Sequence, residues 1–251
     1  MTSWLRRLVR ALGVDVVRFP PRELPPAYPP DVSEEERRLL ERVAPFTMTS
    51  IERQLALLRA VDHVVRAGIA GSVVECGVWR GGSSMLAALS LLRAGDTARD
   101  LWLYDTYTGM TPPTAADQAF DGTSASDLMV RDERDNGVRA IAGLDDVRAN
   151  MAAVGYPAER VHFVEGPVEQ TIPGAMPDGP IALLRLDTDW YESTRHELTH
   201  LFPRLAAGGV MIIDDYGHWS GARRAVDEYL AALPQRYLLH RIDYTGRLLV
   251  R

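Results

Sequence analysis

The sequence predicts an α/β fold, a three-layer sandwich on a seven-stranded, mostly parallel sheet whose last strand is antiparallel. Three observations carry this. Residues 183–186, apolar except for Arg185, and 210–213 read as strands buried on both faces, with room between them for one helix of about a dozen residues. Residues 72–76, with Val73, Val74 and Cys76, read as a third, short buried strand, which leads into Gly77, Gly81 and Gly82 and then into a helical apolar stripe, the start of a βαβ unit. Two β-prone runs, at 237–242 and 247–250, flank Tyr244-Thr245-Gly246 and read as a closing hairpin. With 251 residues, 46% hydrophobic and 25% charged, the chain can bury one large core.

In order along the chain, Leu5, Leu8, Val9 and Leu12 fall at helical spacing opposite Arg6, Arg7 and Arg10, predicting a short amphipathic helix over residues 3–12. Charge interrupts it too often for a signal peptide or a membrane span, so no stable membrane insertion is expected. It is instead suited to docking against a neighbouring subunit, which favours a homo-oligomer. The proline-dense stretch from Phe19-Pro20-Pro21 to Tyr28-Pro29-Pro30 predicts a semi-rigid arm. Ser33 with Glu34-Glu35-Glu36 supplies a helix N-cap and an acidic first turn, opening a helix toward Val43. Residues 1–45 are thus an N-terminal arm and 46–251 one α/β domain. Within the domain, Leu55, Leu58, Val61, Val65 and Ile69 mark a helix ending near Gly68, and a second strand at 101–104 ends at Asp105. Residues 107–142, with Pro112-Pro113, Gly122 and many polar residues, exceed what a crossover needs and read as a lid. A helix at 144–154, a strand at 161–165, the Gly166-Pro167 turn and a helix carrying Ala222, Val226 and Tyr229 complete the plan, that of a class I methyltransferase (Rossmann-like) fold.

A net charge of -6 leaves no basic footprint for nucleic acid. The single cysteine, Cys76, sits in an apolar strand, where a buried inert thiol is expected; this fits a reducing, cytoplasmic compartment.

The chemistry-bearing residues gather at strand ends. Asp187 and Asp189 close one apolar run, and Asp214 and Asp215 close the next. Any one of them could cap a following helix. Four on adjacent strands repel one another unless a cation or a shared proton neutralises them, which points to metal or substrate binding. The glycines of Gly77-Val78-Trp79-Arg80-Gly81-Gly82 let the backbone turn sharply beside a ligand and aim a helix N-terminus at it. Asp105, at the tip of the second strand, is placed to accept hydrogen bonds from ribose hydroxyls. The pattern is Glu75-x-Gly77 with Gly81 rather than the G-x-G-x-x-G of dinucleotide folds, and suits a ligand with an amino-acid portion and one nucleoside, as in S-adenosylmethionine.

Thr47-Met48, Val74-Glu75-Cys76-Gly77-Val78-Trp79-Arg80-Gly81-Gly82, Tyr104-Asp105-Thr106-Tyr107-Thr108-Gly109, Leu184-Arg185-Leu186-Asp187-Thr188-Asp189 and Ile212-Ile213-Asp214-Asp215-Tyr216 together resemble the macrocin O-methyltransferase family, which methylates hydroxyls of sugars and related groups in natural products. The resemblance implies that Glu75, Gly77, Trp79, Arg80, Gly81 and Ser83 surround the methionine portion of S-adenosylmethionine, Asp105 the ribose and Gly166 the adenine. It adds Thr47, Met48, Thr106 and Asp187 to the cofactor site. It also implies a magnesium ion, or another divalent cation, on Asp187, Asp214 and Asp215. A hydroxyl near such a cation loses its proton readily, and either Asp187 or Asp189 could be the catalytic base. The acceptor is then a small molecule or saccharide. His218 is positioned either to touch the acceptor or to make an ordinary loop hydrogen bond. Two other functions fit parts of the pattern: a glycosyltransferase using Asp187-x-Asp189 for a sugar nucleotide, and a non-catalytic module on the same scaffold.

Overall fold

A computed structural model describes residues 28–131 and 137–251. The helix expected at 3–12 and most of the proline-dense arm lie outside the described residues. The chain divides into two compact units, Met1–Arg37 and Arg38–Arg251. In the first, the Ser33 N–H donates to the Glu36 carboxylate at 2.8 Å and the Glu36 N–H to Ser33 Oγ at 3.3 Å, a capping box that opens helix α1, Glu34–Val43.

The second unit holds a seven-stranded sheet in the order β3-β2-β1-β4-β5-β7-β6. The strands are β1 Ser72–Cys76, β2 Leu101–Asp105, β3 Val161–Glu165, β4 Ile181–Leu186, β5 Leu205–Ile213, β6 His240–Arg241 and β7 Arg247–Val250. The first five run parallel; β7 is antiparallel to β5 and to β6. The helices are α2 Ile51–Arg66, α3 Gly82–Ala94, α4 Ala125–Arg131, α5 Leu144–Ala152, α6 Val168–Thr171, α7 Tyr191–His200 and α8 Ser220–Ala232. Residues of β1 and β4 are all buried, as expected of parallel strands covered on both faces. Cys76 is buried in that core, and desolvation pushes its thiol well above the ordinary range, so it is inert.

Two strands differ from the sequence expectation. β5 begins at Leu205 rather than near Val210, because the register shifts between Ile181 and Leu183 and lets the chain pair across a partly exposed Ala-Ala-Gly stretch. β6 pairs over two residues only, since it is an exposed edge strand. The 107–142 insertion carries α4 and a small core of its own, where Ala119 and Ala125 pack with Trp190, Trp219 and Ala222. Antiparallel bridges join Gln118 to Ser124 and Ala119 to Trp219.

Strand pairing runs one step past the strand ends on the carboxyl side. Gly77 donates to Tyr104 O at 2.8 Å, Asp187 to Cys76 O at 2.8 Å, Asp214 to Leu186 O at 2.9 Å and Gly166 to Asp105 O at 2.9 Å. The backbone of Gly77, Asp187, Asp214 and Gly166 is thereby locked before any side chain is considered. β1 lies between β2 and β4, so connections leave it in opposite directions and open a crevice at the topological switch point. At the bottom of that crevice Gly77 has φ +82, and a Cβ built there would overlap the Asp187 carbonyl. Gly77→Ala is therefore expected to cost more than about 2 kcal/mol by strain and displacement of β4's end, read by chemical denaturation; a loss within experimental error would contradict this packing.

Candidate active site

A cavity of about 400 Å³ opens at the carboxyl edge of the sheet. Its wall includes Thr47, Met48, Gly77, Trp79, Ser83, Asp105, Thr106, Gly166, Asp187, Asp189, Asp214 and Asp215 of the residues expected from sequence. Three expected residues are not on it. Glu75 points into the sheet core, where it accepts from Arg185 at 2.6 Å and from the Ser84 hydroxyl. Arg80 turns away onto Asp146 at 2.9 Å and stacks over Phe46, and Gly81 serves as the left-handed N-cap of α3. Side-chain direction on a strand, and the reach of a long side chain, are set by packing partners that motif spacing does not reveal.

Asp105 organises the glycine turn. Its Oδ2 accepts the N–H groups of Val78 at 2.6 Å and Trp79 at 3.0 Å, while Oδ1 accepts that of Tyr107 at 2.7 Å. Those contacts hold two uncommon backbone conformations, Trp79 at φ 47 and Tyr107 at φ 53. Asp189 stands at φ 67. Non-glycine residues at such angles persist where their surroundings over-determine them, and three of the four among the described residues, Trp79, Ala140 and Asp189, line this cavity.

The carboxylates do not cap helices. The N-caps of α7 and α8 are Trp190 and Trp219, neither with a side-chain cap. The start of α7 is instead served by buried Asp117 of the insertion, whose Oδ1 accepts the Tyr191 N–H at 2.8 Å. One oxygen from each of Asp187, Asp214 and Asp215 comes within 4.8 Å of the others. Two guanidinia face this group. Arg185, 3% exposed, donates to Glu75 at 2.6 Å, to Asp187 at 2.7 Å and to Asp214 at 2.6 Å. Arg53, from α2, pairs with Asp214 and with Asp243. Sequence reasoning missed both, although an arginine inside an apolar strand had to find carboxylates somewhere.

Six carboxylates, Glu75, Asp187, Asp189, Asp214, Asp215 and Asp243, face two guanidinia, which leaves excess negative charge at the site. Burial raises Asp187 and Asp215 well above the usual carboxylate range, with Arg185 pulling each back. Asp189 is raised to about 7, again by burial, opposed by hydrogen bonds with Asp215 and Trp219. Octahedral magnesium sites place opposite oxygens about 4.2 Å apart, so this all-oxygen donor set fits a hard divalent cation after small side-chain movement.

On the far wall His218 Nδ1 bonds the Tyr244 hydroxyl, and Phe120 of the insertion packs against both rings at 5.6 and 5.7 Å. Phe120 is nevertheless 67% exposed, leaving an aromatic rim at the cavity mouth. His196 and His63 bond the carbonyls of Ile172 and Gly208.

A seven-stranded sheet with this order and a glycine-lined cavity at the switch point has the architecture of class I S-adenosylmethionine-dependent O-methyltransferases. The profile of the macrocin-O-methyltransferase (TylF) family matches residues 27–250, and the chain belongs to that family. It is 41% identical over 212 residues to an 8-demethyl-8-(2,3-dimethoxy-alpha-L-rhamnosyl)-tetracenomycin-C 4'-O-methyltransferase of Streptomyces olivaceus, covering 83% of this chain and 78% of that one. With the mycinamicin III 3''-O-methyltransferase of Micromonospora griseorubida it shares 35% identity over 73% of this chain and 69% of the other. The solved O-methyltransferase NovP superposes with a TM-score of 0.69 at 35% identity, over 82% of each chain. The protein is thus an S-adenosylmethionine-dependent O-methyltransferase.

The charge balance makes a pH prediction. With a folded value near 7 against 3.8 when unfolded, Asp189 binds more protons in the folded state, so its stabilising contribution is complete below about pH 4 and is lost as pH rises through 7. In chelator, the stability of the wild type relative to Asp189→Asn should fall over that interval. A flat or rising difference would mean that Asp189 titrates as an ordinary carboxylate.

Proposed function

We propose that this protein methylates a hydroxyl of a sugar borne by a natural product, with a divalent cation, magnesium first, on Asp187, Asp214 and Asp215 and with Asp189 as the base. The observation that carries the reading is the convergence of those three carboxylates on one point of the cavity wall, with Asp189 beside them. When bound, the cation would orient the acceptor hydroxyl and make its proton easier to remove. Asp187 is tied to Arg185 at 2.7 Å and belongs to the converging set, whereas Asp189 lies outside that set on its strained turn beside Trp219. Asp189, hydrogen-bonded to Asp215 and Trp219 but outside the converging set, is therefore assigned the proton.

S-adenosylmethionine, when bound, would supply the methyl group to the acceptor oxygen and leave as S-adenosylhomocysteine, while a carboxylate oxygen of Asp189 would take the hydroxyl proton, giving a methyl ether. The glycine turn, fixed by Asp105, holds the methionine portion so that oxygen, carbon and sulfur align; alignment supplies much of the acceleration. Residues 107–142 act as the lid. Gly109, Met110, Thr111, Gly137, Val138 and Ala140 of that segment line the cavity, and Phe120 with Tyr244 offers flat apolar faces of the kind on which sugar rings and aglycones stack. The relatives named above for acting on a rhamnosyl tetracenomycin and on mycinamicin III support a glycosylated acceptor.

Mass spectrometry of a glycoside panel with S-adenosylmethionine, scored for gain of one methyl, identifies the acceptor. With it, Asp189→Asn should lower kcat by roughly 10²- to 10⁴-fold while cofactor and magnesium binding persist. Asp215→Asn should abolish most turnover with S-adenosylhomocysteine affinity nearly intact. Full activity after exhaustive chelation would remove the metal from the mechanism, and an active Asp189→Asn would remove the base.

A further inference from the structure

Asp214 is 2% exposed and has both carboxylate oxygens engaged. Oδ1 accepts from Arg185 Nη2 at 2.6 Å, and Oδ2 accepts from Arg53 Nη1. One of the three carboxylates assigned above to the cation is thus already neutralised on both sides. A guanidinium on the same oxygen sets like charge beside an incoming divalent ion and competes for the lone pairs that the ion needs.

The two arginines differ in their freedom. Arg185 is enclosed among Glu75, Asp187 and Asp214, with a side chain 4% exposed. Arg53 lies on the cavity wall with a side chain 16% exposed, and its Nε holds a second carboxylate, Asp243, at 3.1 Å. Asp243 is itself fixed: it accepts from Ser50 Oγ at 2.7 Å and from the N–H groups of Thr245 at 2.9 Å and Gly246 at 2.6 Å. Arg53 can release Asp214 without losing an anionic partner.

We propose that Arg53 is the resident counter-ion of the metal-free site: its guanidinium neutralises Asp214 until a divalent cation enters, then withdraws onto Asp243, so that Arg53 sets the affinity of the site for the ion. The inference rests on the reading that Asp187, Asp214 and Asp215 bind a divalent cation. Arg53 is a positioning residue in this scheme, acting through Asp214 and not on the reacting atoms. It lets the cluster fold without metal and keeps binding reversible, because each ion must displace a charge already there.

Magnesium titration of the full chain by calorimetry, with melting in chelator as a second readout, tests this. Arg53→Met should bind magnesium at least about tenfold tighter than wild type, should melt lower without metal, and should recover more on adding it. Asp243→Asn should have the opposite sign and bind magnesium more weakly, since Arg53 then has no second carboxylate to accept it. If Arg53→Met does not fold, Arg53→Gln carries the same expectation as Met. Wild-type binding that the Arg53 variants leave unchanged or weaken, or that Asp243→Asn leaves unchanged or tightens, overturns the inference alone. No magnesium binding to wild type or variants removes the carboxylate reading and the inference with it.

Discussion

The guanidinium of Arg185 sits inside the sheet, where water cannot solvate it, and three carboxylates from three strands converge on it: Glu75 of β1, Asp187 beyond β4 and Asp214 beyond β5. Glu75 and Arg185 are direct register partners across the β1–β4 pair. A charge in that position costs several kcal/mol to desolvate unless its partners are placed well, so the register of the central strands and the positions of the aspartates are one requirement. Removing Arg185 leaves carboxylates in the core without their counter-charge. The site's geometry is therefore held by the same interaction that makes β1, β4 and β5 compatible neighbours.

Around this pair, electrostatics and backbone work in the same direction. Strand pairing that continues past the strand ends fixes Gly77, Asp187 and Asp214, and Asp105 fixes the turn above them with three backbone N–H groups. Burial pushes Asp187 and Asp215 above the ordinary carboxylate range and Asp189 to about 7. A cluster in that condition has stored affinity for positive charge, which matches the needs of a reaction that must deprotonate a weakly acidic hydroxyl beside a sulfonium. Strained backbone at Trp79, Ala140 and Asp189 lines the same cavity.

The fold and the gathering of aspartates were legible in the sequence because both depend on local signals: continuous apolar runs, glycines at turns, and acids at strand ends. What escaped was set by long-range partners. Glu75 belongs to the glycine motif in sequence, yet its carboxylate faces Arg185 because strand alternation turns it inward. Arg80 is drawn to Asp146, 66 residues away, and Arg53 to Asp214 and Asp243, at separations of 161 and 190 residues that no window covers. The extension of β5 to Leu205 went unread because Gly208 and Gly209 look like a break, whereas a register shift absorbs them. Phe120 reads as one more apolar residue of a polar insertion, and only its packing on His218 and Tyr244 brings it to the cavity mouth.

The dependence of the sheet edge on Arg185 is measured most directly by equilibrium urea unfolding of Arg185→Met in chelator. With Glu75 and Asp187 left without a guanidinium and Asp214 with Arg53 alone, the variant should lose about 3 to 5 kcal/mol relative to wild type, or fail to fold. A loss below about 1 kcal/mol would contradict the account, because the central strands and their aspartates would then hold together without that buried charge.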